Sequence, residues 1–155
     1  MCAIVDTDRW HQVFPTSGGA PDPLRAWLQR RAGFLALGGK LLREITGHSQ
    51  RQKLVQALIA SGQIRHYSSQ TIREEERRVR QQNRCRSNDT HVIALALVSG
   101  ARLLYSGDHD LREDFKDRRI LRGGRLYPQQ RSKRLREHQQ RVLRAHRCPS
   151  GLRHS

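Results

Sequence analysis

Acidic residues and lysine are both scarce in this chain. Of its 155 residues only 14 are Asp or Glu, against 30 Lys or Arg, for a formal charge of +16. Lysine occurs only at 40, 53, 116 and 133, so arginine carries most of that charge. Cysteine is limited to Cys2, Cys85 and Cys148. No CxxC or CxxxxH pair is present to hold zinc, and three widely spaced cysteines argue against a disulfide framework. The longest unbroken apolar run, Val92 to Val98, is far shorter than the roughly 20 residues a membrane span needs. The N-terminal stretch MCAIVDTDRW has no basic region followed by a long apolar core, so no signal peptide is expected. These absences point to a cytoplasmic protein with no membrane partner.

The length predicts one domain with a real core, although 35% hydrophobic residues and a mean hydropathy of -0.80 are lean for a globular chain. The leanness is concentrated at one end. From Lys116 onward thirteen Lys and Arg face only Asp117 and Glu137, a net of +11, which leaves +5 for the first 115 residues. Such a segment attracts polyanions, because each neutralised phosphate releases condensed counterions. Arginine also suits bidentate phosphate recognition, although a GC-rich genome produces the same bias.

Cys2 to Asp6 reads as a short buried strand that ends on a carboxylate, with Asp8 placed to cap the helix-like stretch after it. A turn-rich interval, Pro15 to Pro23, precedes an amphipathic helix over Leu24 to Arg31. Gly38-Gly39 breaks the chain before Lys40 to Ile45, where Leu41, Leu42 and Ile45 fall at helical spacing. A helix is expected over Ser49 to Ala60, with Gly62 as its stop, and a second strand over Ile64 to Tyr67. Ser69 or Thr71 then opens a charged helix through Glu74-Glu75-Glu76 to Gln82. Consecutive helical residues point about 100° apart, so the acidic triplet reads as a solvated face rather than a metal site.

The stretch RSNDTHVIALALVSGARLLYSGDHDLREDF says most. Ser87 or Asn88 can cap a nearly all-apolar helix with Asp89 in its first turn and Gly100 at its end. Ala101 to Ser106 follows as a strand, and Gly107 to Asp110 turns into another helix. This alternation is that of a parallel sheet. Leu126-Tyr127 adds a last short strand. Beyond Pro128, Leu135, Val142 and Leu143 allow a helix with little power to form a core.

In a parallel sheet every strand ends at one edge and the following helix begins there, so ligands bind outside that edge. Asp6 closes the first strand, Asp108 follows the strand through Leu103 to Tyr105, and Asp89 stands at a helix start. Topology therefore delivers three acids to one rim, with Asp8 and Asp110 close behind two of them. Each alone would serve as an ordinary helix cap. Together they repel one another unless a cation lies between them. Carboxylate oxygens without His or Cys favour Mg²⁺ or Mn²⁺ over zinc, and such ions support phosphodiester hydrolysis.

These residues resemble the PIN domain family, which includes the VapC-type toxin ribonucleases. The match lies in IVDTD, GGKLLREI and SNDTHVIALALVSGARLLYSGDHDL, and covers roughly residues 2 to 127. The resemblance implies a three-layer α/β/α fold around a central, mainly parallel sheet. It divides the chain into a nuclease domain over 1–128 and an Arg-rich extension over 129–155. It further implies a divalent-metal endoribonuclease with Asp6, Glu44, Asp89 and Asp108 as the acidic quartet. Metal ligation would fall to Asp6, Asp89, Asp108 and Asp110, with Asp8 and Ser106 as auxiliary residues. Glu44 rests on the resemblance; by its own surroundings it reads as an exposed helix residue. RNA, single-stranded or structured, is the implied substrate. If the chain is a toxin, a cognate antitoxin and a homodimer are implied as well.

Other features carry less. Gly38-Gly39-Lys40 lacks the first glycine and the Ser or Thr of a phosphate loop, because Phe34 and Leu41 stand there. His91 and His109 neighbour the acids and could touch substrate, but read more readily as ordinary hydrogen-bonded histidines. Trp10 and Trp27 read as core. A non-catalytic RNA- or ribosome-binding protein that uses the basic extension is the main alternative. A receiver-like domain would need a lysine near the acids, and none follows Asp108 until Lys116.

Overall fold

The computed structural model describes residues 2–16 and 22–146. The stretch 17–21, part of the turn-rich interval, and the last residues of the basic extension, with Cys148, lie outside these. Five strands form one all-parallel sheet: β1 (Cys2–Val5), β2 (Phe34–Gly38), β3 (Ile64–Tyr67), β4 (Leu103–Tyr105) and β5 (Arg125–Leu126). Their order is β3-β2-β1-β4-β5. Ala3 pairs with Leu35 on one side and Leu103 on the other, which makes β1 the central strand.

Eight helices are described: α1 (Trp10–Val13), α2 (Pro23–Gln29), α3 (Gly39–Ile45), α4 (Ser49–Ala60), α5 (Ser69–Gln82), α6 (Thr90–Ser99), α7 (His109–Lys116) and α8 (Leu135–Ala145). The strand order explains the layers. The chain steps from β1 to β2 in one direction and from β3 across to β4 in the other. Right-handed crossovers therefore put α2 and α6 on opposite faces. Helix α6 is the apolar one and is buried along Thr90 to Ala96. It packs beneath β1, β2 and β3 with α5 as its outer neighbour, while α2 and α8 pack together. The fold is an α/β/α sandwich.

Most elements expected from the sequence are present, some to the residue, such as α4 and α5. Strand β2 is not among those expected. Its residues, Phe-Leu-Ala-Leu-Gly, are all buried, so no polar alternation marks them as a strand. The break at Gly38-Gly39 is the end of that strand. Gly39 takes φ +59°, and a Cβ on Gly38 would stand 2.3 Å from the Tyr67 carbonyl oxygen of β3. The close junction lets α3 begin at the strand end and carry Glu44 to the sheet's C-terminal edge.

The segment after Pro128 belongs to the same body. Gln139 Nε2 donates to the Pro128 carbonyl (2.8 Å), Leu143 joins the core, and His146 Nε2 donates to the Cys2 carbonyl (3.1 Å). Helix α8 therefore runs from the sheet's C-terminal edge back to its N-terminal edge. Among the described cysteines Cys85 is free, while Cys2 is disulfide-bonded, a bond not expected where the wide spacing argues against a disulfide framework. No described helix is long and apolar enough to cross a membrane.

Gly38→Ala tests the packing at the β2–α3 junction. The added methyl has to displace backbone, so a loss of roughly 1–3 kcal/mol is expected in urea denaturation. A change within about 0.5 kcal/mol, the scale of an ordinary surface substitution, would contradict the junction described.

Candidate functional site

The sheet's C-terminal edge collects acids from four elements. Asp6 follows β1 and is 8% exposed. Its amide donates to the Tyr105 carbonyl of β4 (2.9 Å), which continues the parallel pairing one residue beyond the strands. Its Oδ1 accepts from the Thr7 amide (2.9 Å) and its Oδ2 from the Ser106 hydroxyl (2.8 Å). Ser106 is fully buried, and its oxygen also accepts from the Asp108 amide (3.1 Å). One hydroxyl thus ties the end of β1 to the start of α7.

Asp108 caps α7 by accepting from the Leu111 amide (3.1 Å). Asp89 occupies the N-cap position of α6 but makes no capping bond; Ser87 Oγ accepts from the Asp89 amide instead (2.9 Å). The expectation that Ser87 or Asn88 caps the helix is corrected accordingly, and the non-capping Asp89 carboxyl lies within the influence of Asp108. Glu44 comes to the same place. Its Oε2 accepts from the Thr7 hydroxyl (3.1 Å), its Oε1 lies 3.9 Å from Lys40 Nζ, and its charge acts on Asp89.

Two expected residues stand differently. Asp8 does not cap the helix after it. It reaches across to accept from the Gly107 amide (2.9 Å), while Asp6 caps the 3-10 turn over Thr7–Arg9. Asp110 lies in the first turn of α7 and is exposed, with no hydrogen bond or ion pair to the other acids among the described residues.

Crowded, partly buried carboxylates hold their protons. Burial pushes Asp6 up to about 6, helped by the charges of Asp8 and Asp89 and opposed by its bonds from Ser106 and Thr7. Burial also raises Asp89, with Asp108 and Glu44 adding to it and His91 opposing. Burial lowers His91, against the pull of Glu44, Asp89 and Glu76, and its Nε2 has no hydrogen-bond partner among the described residues.

Two supporting residues have no signal in the sequence. Asp114 of α7 is 2% exposed and accepts from the Arg86 amide (2.9 Å) and the Ser87 amide (2.9 Å). It holds the loop that delivers Asp89. Glu76, from the triplet read as a solvated face, accepts from the Thr90 hydroxyl at the start of α6 (2.7 Å). Both bonds cross between elements far apart in sequence, so no local pattern announces them.

The donors suit a hard cation. They are carboxylate oxygens, and Asp108 and Glu44 stand close enough to Asp89 to raise its pKa, a crowding that a cation would relieve. Among the described residues no three His, Cys, Asp or Glu side chains are arranged to hold an ion as they stand. Mg²⁺ commonly binds through one or two carboxylates and keeps several waters, so a two-carboxylate seat fits its chemistry. Comparisons with known protein families, with curated proteins and with solved structures return no match.

The raised Asp6 value gives a pH prediction for the cation-free protein. A carboxyl whose folded pKa lies above the ordinary value of about 3.9 favours folding most when protonated. That contribution is complete below about pH 4 and is lost as pH rises through about 6. Asp6→Asn removes the dependence. In urea denaturation with EDTA, the variant should gain on wild type by on the order of 2–3 kcal/mol between pH 4 and 7. A difference that stays flat across this range would contradict the buried, proton-retaining Asp6.

Proposed function

We propose that this chain is a metal-dependent endoribonuclease of PIN-like type. One observation carries the reading: Asp6, Glu44, Asp89 and Asp108, from four elements, come together at the binding edge of a parallel sheet in a chain of charge +16. Repelling carboxyls held together at a sheet edge cost stability, and such cost is characteristic of sites kept for chemistry.

In this reading Asp89 and Asp108, with Asp6 and Glu44 beside them, would hold a Mg²⁺ or Mn²⁺ ion. The ion, when bound, polarises the phosphate and lowers the pKa of water. The residues of the chain do the rest. Ser106 fixes the Asp6 carboxylate and the Asp108 backbone, so the acids keep their spacing. Thr7 does the same for Glu44. Water attacks phosphorus as the ester P–O bond breaks; a carboxylate of the cluster takes the water's proton, and the leaving oxygen is protonated from solvent. Asp8 orients the Gly107 turn, and Asp110 is left for the outer waters. Arginines around the rim hold the substrate backbone.

The test is cleavage of a single-stranded RNA with Mg²⁺ or Mn²⁺ by wild type, Asp89→Asn and Asp108→Asn. Each substitution should lower the rate by roughly 10²-fold or more, the scale on which charge-stabilising groups act. Equal rates in all three proteins would overturn the assignment.

A further inference from the structure

The sheet edge that carries the acids also carries a second concavity, of about 570 Å³, which the carboxylates do not line. Arg9 from the turn after β1 and Tyr105 from the end of β4 form its inner side. Gln129, Arg131 and Lys133, from the segment that joins β5 to α8, and Arg136, from the first turn of α8, form the outer wall. Four cations thus surround a space whose lining includes one acid, Asp22. That acid is committed to the fold: it accepts from the Tyr127 hydroxyl (2.5 Å) and from the Leu24 amide (2.9 Å) as the cap of α2. Its charge is also opposed by Arg136. Arg131, Lys133 and Arg136 are exposed to solvent.

Arg9 connects this pocket to the acidic rim. A Cβ at Gly107 would lie 2.7 Å from both Arg9 Nη2 and Asp8 Oδ2, which places the guanidinium at the Asp8–Gly107 corner. On its other side, Arg9 Nε donates to Gln129 Oε1 (3.1 Å). Arg9 therefore has one end at the carboxylates and the other in the basic pocket. The segments outside the described residues do not neutralise it: 17–21 are uncharged, and 147–155 hold Arg147 and Arg153 with no acid.

We propose that this pocket holds the sugar-phosphate backbone of single-stranded RNA on one side of the scissile phosphate, with Arg9, Arg131, Lys133 and Arg136 binding its phosphates. The inference rests on the ribonuclease reading for the word scissile. The cations come from two segments, one after β1 and one spanning 131–136, which suits a chain of phosphates better than a single anion. Gln129 lines the same wall and supplies an amide for sugar or base edges. The segment beyond the PIN-like motifs thereby becomes half of the substrate cleft.

The test measures binding without catalysis. A fluorescent single-stranded RNA is titrated in EDTA across a salt series against wild type and Arg131→Gln/Lys133→Gln/Arg136→Gln. A control of equal charge loss is Arg30→Gln/Arg118→Gln/Arg144→Gln, at the opposite sheet edge. The double variant Arg131→Gln/Lys133→Gln, which keeps the charge opposite Asp22, and melting temperatures guard against misfolding. The pocket variant should bind about tenfold more weakly at low salt. Its log–log salt slope should become shallower by roughly 0.7 for each phosphate that is no longer neutralised, and the control should keep the wild-type slope. Wild-type binding by the pocket variants, or equal weakening in the control, would overturn the proposal. Pocket-dependent binding by a protein that cleaves no RNA would instead uphold the pocket and defeat the ribonuclease reading.

Discussion

The hydrogen bond from Ser106 Oγ to Asp6 Oδ2, 2.8 Å long and wholly buried, joins residues 100 positions apart. It exists because β4 crosses the sheet to lie beside β1, with Val5 opposite Tyr105. That neighbourhood brings the ends of both strands, and the helix starts beyond them, to one rim. The same hydroxyl oxygen accepts from the Asp108 amide, so one side chain sets the spacing of two acids. A third, Asp89, arrives because α6 must begin where the β3–β4 crossover turns back toward the sheet. Its loop is then fixed by the buried Asp114. Without the crossover these acids would be scattered helix caps.

The rim holds its charge at a cost that the rest of the molecule offsets. Carboxyls beside one another in partly buried positions have raised pKa values, as Asp6 and Asp89 do. A core of aliphatic residues running through β1, β2, α6 and β4 supplies the compensating burial. Around this acidic point cations are in large excess, and Glu75, Glu76 and Asp117 are each paired with an arginine. Phosphate-bearing chains are drawn by the outer arginines, and the carboxylates repel them unless a cation intervenes. The proposed chemistry and the proposed cleft both follow from that division.

Several features were legible in the sequence, for physical reasons that differ. Helices α4 and α5 declare themselves through periodicity and flanking breakers, and α6 through its apolar length. Asp6, Asp89 and Asp108 could be placed at one edge from topology alone. Strand β2 was not legible, because full burial erases the alternation that marks a strand. Glu44 could be read only through family resemblance; the structure supplies the reason it stands at the rim, namely the Gly38-Gly39 junction and the Thr7 hydroxyl. Asp8 reads as a cap from sequence spacing, yet a backbone amide 99 positions away competes for it successfully. The basic extension shows its charge in the sequence, but its return to the sheet edge depends on α2 and β1, which no local pattern reports.

At the centre of the proposed site Asp89 stands beside Asp108 and Glu44, whose charges raise its pKa and which a divalent cation would neutralise. Calorimetric titration of Mn²⁺ into the protein measures binding to this seat directly. Saturable binding is predicted, and Asp89→Asn/Asp108→Asn should abolish it. No saturable binding by wild type, or binding that survives the double substitution, would contradict the two-carboxylate seat.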